Sequence, residues 1–173
     1  MNRPQIMVFI LGLFLLLGGL AVLAAGQGGF LSSTEMMART EREAVVRLRE
    51  ADEYLRQNSS EAAKRASVIF NQVLAQDVNP RINELATYGL AVALEELDDR
   101  AAALEFYRKL KDGPVQDQEL ADRVDFSLGR LLLFIDHEEE GSAILKNLLA
   151  RTKDRDLKSR IHTAFGHFAL QKA

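Results

Sequence analysis

The sequence predicts an all-α protein: an antiparallel helix-pair solenoid of about three repeats plus a terminal helix, preceded by one transmembrane helix. Three observations carry this. A small-x3-large-x2-apolar triplet recurs at spacings of 37 and 38 residues, as Ala66-x3-Phe70-x2-Val73, Ala103-x3-Tyr107-x2-Leu110 and Gly141-x3-Leu145-x2-Leu148. A large-small pair recurs in phase with it, as Leu90-Ala91, Leu128-Gly129 and Phe165-Gly166. Residues 6–26 are 21 consecutive uncharged, mostly apolar residues. Two in-phase series at one period mark stacked helix pairs whose neighbouring units bury each other's faces.

Residues 1–26 form the expected anchor. At about 1.5 Å per residue the apolar run spans about 30 Å, one hydrocarbon core. It is longer than the roughly 7–15 apolar residues of a secretory signal. Ala24-Ala25-Gly26 nevertheless offers a small-x-small cleavage site, so cleavage before Gln27 is the competing expectation. With no cysteine in the chain, lipid attachment there is excluded. Arg3 on one side and Arg39 and Arg42 on the other nearly balance under the positive-inside rule. Retention of the short Arg-bearing tail puts the folded part outside a bacterial cytoplasmic membrane, in the periplasm. Ala21 and Ala25 are spaced to dock a second membrane helix, or else simply face lipid.

Residues 27–34 read as a short linker and 35–173 as the repeat domain. Ser32-Ser33-Thr34-Glu35 has the spacing of a capping box, in which hydroxyl and carboxylate satisfy free amides at a helix start. A charged helix follows to about Gln57, with Val45, Leu48, Ala51 and Leu55 at helical spacing. Asn58-Ser59-Ser60 ends it; the same tripeptide matches a glycosylation sequon, but a turn explains it. Further helices are expected at 61–76, 80–97, 100–111, 116–135, 139–152 and 155–171. Asn79 is placed to cap the third, with Pro80 at its first position. Small residues at Ala91, Gly129 and Gly166, and at Ala66, Ala103 and Gly141, are expected to bring paired helices close. Glycine inside a helix costs about 1 kcal/mol against alanine, so its recurrence at one phase implies a steric need.

Composition bounds the function. Net charge is −3, and −4 without the first 26 residues, which hold only Arg3. Phosphate backbones demand a concentrated basic face, so nucleic acid is not expected. The absence of cysteine removes disulfides and thiolate metal sites. His162 and His167 stand five apart without a third ligand, and Glu138-Glu139-Glu140 sits where carboxylates complement a helix dipole. No phosphate loop, nucleophile elbow or Cys–His pair is present, so neither an enzyme nor a cofactor nor a small-molecule substrate is expected.

On the motifs Ala103-Leu104-Glu105-Phe106-Tyr107-Arg108-Lys109-Leu110 and Ala66-x3-Phe70-x2-Val73-Leu74-x2-Asp77, the chain resembles the tetratricopeptide repeat (TPR) family over about residues 42–173. It departs from the family's usual period of about 34 residues. Asp52-Glu53 also falls where the first repeat's large-small pair belongs. The resemblance implies a groove lined by the first helix of each pair. Here that face carries Leu85, Tyr88 and Val92, then Arg123, Phe126 and Arg130, then Arg160, Thr163 and His167. Arginines pair bidentately with carboxylates, so the expected ligand is an acidic segment, a free C-terminus or a helix of a membrane or envelope protein. Tyr88, Phe126 and Thr163 stand where a lysine of the family's carboxylate clamp belongs, so that clamp is not expected. The expected role is a membrane-anchored scaffold or adaptor in a bacterial envelope complex, assisting assembly or export. The alternatives are a constitutive subunit of a secretion, pilus or motor machine, and a cleaved, exported chaperone.

Overall fold

The computed structural model describes residues 32–115, 117–135 and 137–172. All seven helices expected beyond the linker are present, and no strand occurs among the described residues. They are α1 (Ser33–Leu55), α2 (Ser60–Gln76), α3 (Pro80–Glu96), α4 (Arg100–Asp112), α5 (Gln118–Phe134), α6 (Glu138–Arg151) and α7 (Arg155–Gln171). None of these is long and apolar enough to cross a membrane. The segment 6–26, expected to do so, lies outside the described residues.

The chain divides into two compact units, Met1–Arg39 and Thr40–Ala173. In the first, the Ser32 amide and hydroxyl both donate to Glu35 Oε2, at 2.8 and 3.0 Å, and the Glu35 amide donates back to Ser32 Oγ at 3.3 Å. This is the capping box the sequence encodes. The Ser32 donors hold the exposed Glu35 carboxyl below its ordinary value.

The second unit holds the rest. Its helices start where a short polar side chain can accept a free amide. Ser59 caps Ala62 at 3.2 Å, Asn79 caps Ile82 at 2.9 Å, and Asp99 caps Ala102 at 3.2 Å. Asp117 and Asp154 cap α5 and α7 in the same way. His137, before α6, makes no such bond; three glutamates fill that helix's first turn instead. The chain leaves α1, α2 and α3 through Asn58, Asp77 and Asp98, all with positive φ, a region these residues tolerate better than most.

Successive helices from α2 to α7 pack against one another, and α5 also touches α7. Alternate helices are bridged as well. The Asn79 amide group donates to Glu41, Arg81 pairs with Asp117 at 3.4 Å, and Arg108 pairs with Glu140 at 2.9 Å. The backbone of α1 stays farther off than the others; it joins the core through Ala44, Leu48 and Ala51, which meet Ala66, Phe70 and Val73. That is how the chain accommodates Asp52 and Glu53 where the repeat called for an apolar pair: α1 buries Ala51 and turns the two acids outward.

The phased small residues make two like junctions. Ala91 meets Ala103 and Tyr107 of α4 in one buried cluster. A side chain on Gly129 would lie 2.7 Å from Leu145 Cγ and 3.2 Å from the Gly141 carbonyl. One on Gly141 would lie 2.7 Å from the Gly129 carbonyl, 2.9 Å from the Leu133 nitrogen and 3.0 Å from Leu132 Cβ. Glycine at both positions is what lets α5 and α6 touch backbone to backbone. Gly166 departs from the expectation: among the described residues nothing lies within 4 Å of its missing side chain.

Candidate functional site

The face expected to bind partners is divided by the fold into interior and surface. Leu85 and Val92 are half-buried and pack on core clusters. Tyr88 is half-buried too: its hydroxyl lies 3.2 Å from Ser127 Oγ on α5, and its ring centroid is 6.0 Å from that of Tyr107. Phe126 is 6% exposed and belongs to the cluster of Leu145, Leu148 and Ile161. These four side chains join helices. Their sequence signal was real, but it encoded packing.

The cations are distributed differently. Arg130 donates to Glu95 at 2.5 Å, and Glu95 also accepts the hydroxyl of fully buried Tyr107 at 3.2 Å. Burial first, and the Glu95 charge second, push the Tyr107 phenol well above its ordinary value. Arg123 bonds Glu119 one turn away at 2.7 Å. Its charge also reaches Asp52 on α1, whose carboxyl partial burial raises against the pull of Arg56 and Arg123. The Arg160 guanidinium lies 4.3 Å from the centre of the Phe126 ring, a cation–π contact between α7 and α5. Thr163 donates its hydroxyl to the Ser159 carbonyl at 3.0 Å, and His167 is exposed. Arg123, Arg160, Thr163 and His167 are thus the exposed members of the set, and Arg130 is half-buried.

Two features escaped the sequence reading. Asp125, 3% exposed, accepts Lys111 at 2.6 Å and Arg151 at 2.8 Å, and Arg151 reaches Asp122 as well. Burial opposes the Arg151 charge, but the two aspartates more than compensate and raise its pKa. The available signal was an acid between Val124 and Phe126, at the repeat phase of buried Thr87. The second feature is a largely apolar cleft of about 550 Å³, walled by Leu74, Phe106, Leu110 and Val115 with Asn83 and Glu84 beside them. The Asn83 amide nitrogen donates to Asp77 at 2.6 Å, while its buried oxygen has no partner among the described residues, a cost of about 1–3 kcal/mol for such a group. It lies at the helix ends, away from the expected face, and no periodicity announces it.

Among the described residues no group of three or more His, Asp or Glu side chains is placed to hold a metal ion. No protein family, no curated protein and no solved structure matches the chain.

Proposed function

We propose that this protein is a membrane-anchored scaffold of TPR-like helix pairs that captures acidic segments, C-termini or helices of other membrane or envelope proteins. One observation carries the reading. The Ala91–Ala103–Tyr107 and Gly129–Gly141–Leu145 junctions repeat one packing device in phase, so the helices are spent on stacking and function falls to the surfaces left over. On the first helices that surface carries Arg123 and Arg160, suited to carboxylates. The apolar run 6–26 supplies the anchor, and confinement to a membrane raises the effective concentration of co-resident partners. We place the repeat domain on the periplasmic side of a bacterial inner membrane, with Arg3 on the cytoplasmic side of the apolar run in keeping with the positive-inside rule.

Crosslinking in native membranes, with identification of the captured proteins, tests this. Arg123→Glu/Arg160→Glu is the informative variant: both side chains are exposed, whereas Arg130→Glu would set a second carboxylate against Glu95. Capture should fall at least about tenfold, a loss of about 1.4 kcal/mol. Unchanged capture removes this face from the binding site.

A second reading, a constitutive subunit of an envelope machine, is favoured by Val45, Val46 and Val68, which are 46%, 63% and 54% exposed. Isolation in detergent separates the two: a stoichiometric complex marks a subunit, and weak, salt-sensitive capture marks an adaptor. A mature chain beginning at Gln27, read by mass spectrometry, would eliminate both anchored forms.

A further inference from the structure

Gly166, Ala169 and Leu170 of α7 stand 37 residues after Gly129, Leu132 and Leu133 of α5. The α5 residues are the seat of α6: they are the three that a side chain on Gly141 would strike. On α7 the same seat is open. Among the described residues nothing lies within 4 Å of the missing Gly166 side chain, Ala169 is exposed, and Leu170 is 77% exposed. The opposite side of α7 is the buried one, through Leu157, Ile161 and Ala164. From Ser159 onward the open strip Ser159, His162, Thr163, Gly166, Ala169 and Leu170 contains no Lys, Arg, Asp or Glu, the charge on the same face being Arg155 in the first turn, on the surface of a chain that is 27% charged. A face selected for solvation alone would carry charge.

The strip also holds the other half of the junction. Helix α6 docks by a glycine followed four residues later by a leucine, Gly141 and Leu145, the leucine covering Gly129. Gly166 and Leu170 have that spacing. One exposed helix face therefore carries both seat and occupant. That is the condition for an isologous contact, in which the same patch on two copies is self-complementary.

We propose that α7 is a self-association surface: two copies of this chain pair their α7 helices antiparallel, Gly166 against Gly166, with Leu170 of each covering the glycine of the other. A single pair of helices buries less than the roughly 1,200 Å² of a stable standard interface, so the pairing is weak in dilute solution and favoured by confinement in a membrane. The proposal goes beyond the adaptor reading, since it does not depend on which protein the arginine face captures.

The test uses the full chain in nanodiscs or native membranes and exploits the absence of cysteine. Antiparallel pairing about Gly166 sets His162 of one copy opposite Leu170 of the other. Mixed His162→Cys and Leu170→Cys chains should therefore form the mixed disulfide at least about five-fold faster than either chain forms its own dimer, while Ala150→Cys on exposed α6 stays monomeric. Leu170→Glu, with helical content unchanged, should weaken self-association at least about tenfold, because an unpaired charge is placed in the contact. Absence of the mixed disulfide, a dominant 170–170 product, or association indifferent to Leu170→Glu each overturns the proposal. The last two outcomes would assign any pairing to the apolar N-terminal segment. Arg123→Glu/Arg160→Glu leaves this readout intact, so failure here and failure of the adaptor reading are distinguishable.

Discussion

At the scale of single residues, the glycines of the two phased series carry opposite requirements. At Gly141 an added methyl meets backbone at 2.7 and 2.9 Å, and backbone cannot step aside without parting α5 from α6. Gly141→Ala should cost about 1–3 kcal/mol, in the range of overpacked cores. Gly129→Ala should cost less, because its closest obstacle is the Leu145 side chain at 2.7 Å. Gly166→Ala has nothing to meet and should stabilise by up to about 1 kcal/mol through helix propensity. Urea unfolding of the three variants in detergent checks both order and sign; destabilisation by Gly166→Ala would mean that α7 is already covered. Tyr107 carries a pH signature. Its folded-state pKa lies above the ordinary 10.0, so its contribution is complete below pH 10 and is lost as pH rises above it, where the unfolded chain releases the proton first. Tyr107→Phe should cost about 1 kcal/mol at neutral pH, the value of one hydrogen bond, and should flatten part of the alkaline decline in melting temperature.

At the scale of helices, the sequence was most legible where local chemistry decides. Pro80 after Asn79 and Ser32 three before Glu35 each specify a helix start, and each appears where expected. The buried triplets were legible for the same reason, since small-x3-large spacing places two residues on one helix face. What escaped was pairing at a distance. Nothing near Asp125 in sequence announces Lys111 or Arg151, because those partners arrive from the ends of α4 and α6. Phe126 is buried and Tyr88 half-buried on the face expected to bind, because periodicity identifies a face without saying whether a neighbour covers it. Gly166 departs in the opposite direction: its phase promised a neighbour, and among the described residues α7 has none there. Among the described helices the weak start is at His137, which accepts no amide. His137→Ser should add a cap and gain about 0.5–1 kcal/mol, whereas Asn79→Ala should lose about 1 kcal/mol together with its bond to Glu41. Thermal melts of both variants read the contrast, and equal destabilisation would show that the three glutamates of α6 already suffice.

At the scale of the Thr40–Ala173 unit, stability passes from helix to neighbouring helix, so it need not be lost everywhere at once. The join between the α3–α4 and α5–α6 pairs has an apolar part, in which Leu128, Leu131 and Leu132 meet Ala91, Ala103 and Tyr107. It also has a polar part, in which Glu95 of α3 receives both Tyr107 of α4 and Arg130 of α5. Glu95→Ala deletes the polar part alone. Arg130, with 38% of its side chain exposed, can turn to water, but Tyr107 is fully buried and its hydroxyl must find Ser127 or go unpaired. The expected cost is therefore about 1–2 kcal/mol, below the roughly 3–5 kcal/mol of breaking a fully buried ion pair. Because both variants break the same Tyr107–Glu95 bond, Glu95→Ala and Tyr107→Phe together should cost less than their sum. Hydrogen exchange then asks what the bridge does for the whole. If it couples the two pairs, Glu95→Ala should let α6 and α7 exchange ahead of α2 and α3, splitting one cooperative opening into two. If protection falls uniformly along the chain, the coupling runs through the leucines of α5, and Glu95 serves only to satisfy the tyrosine beside it.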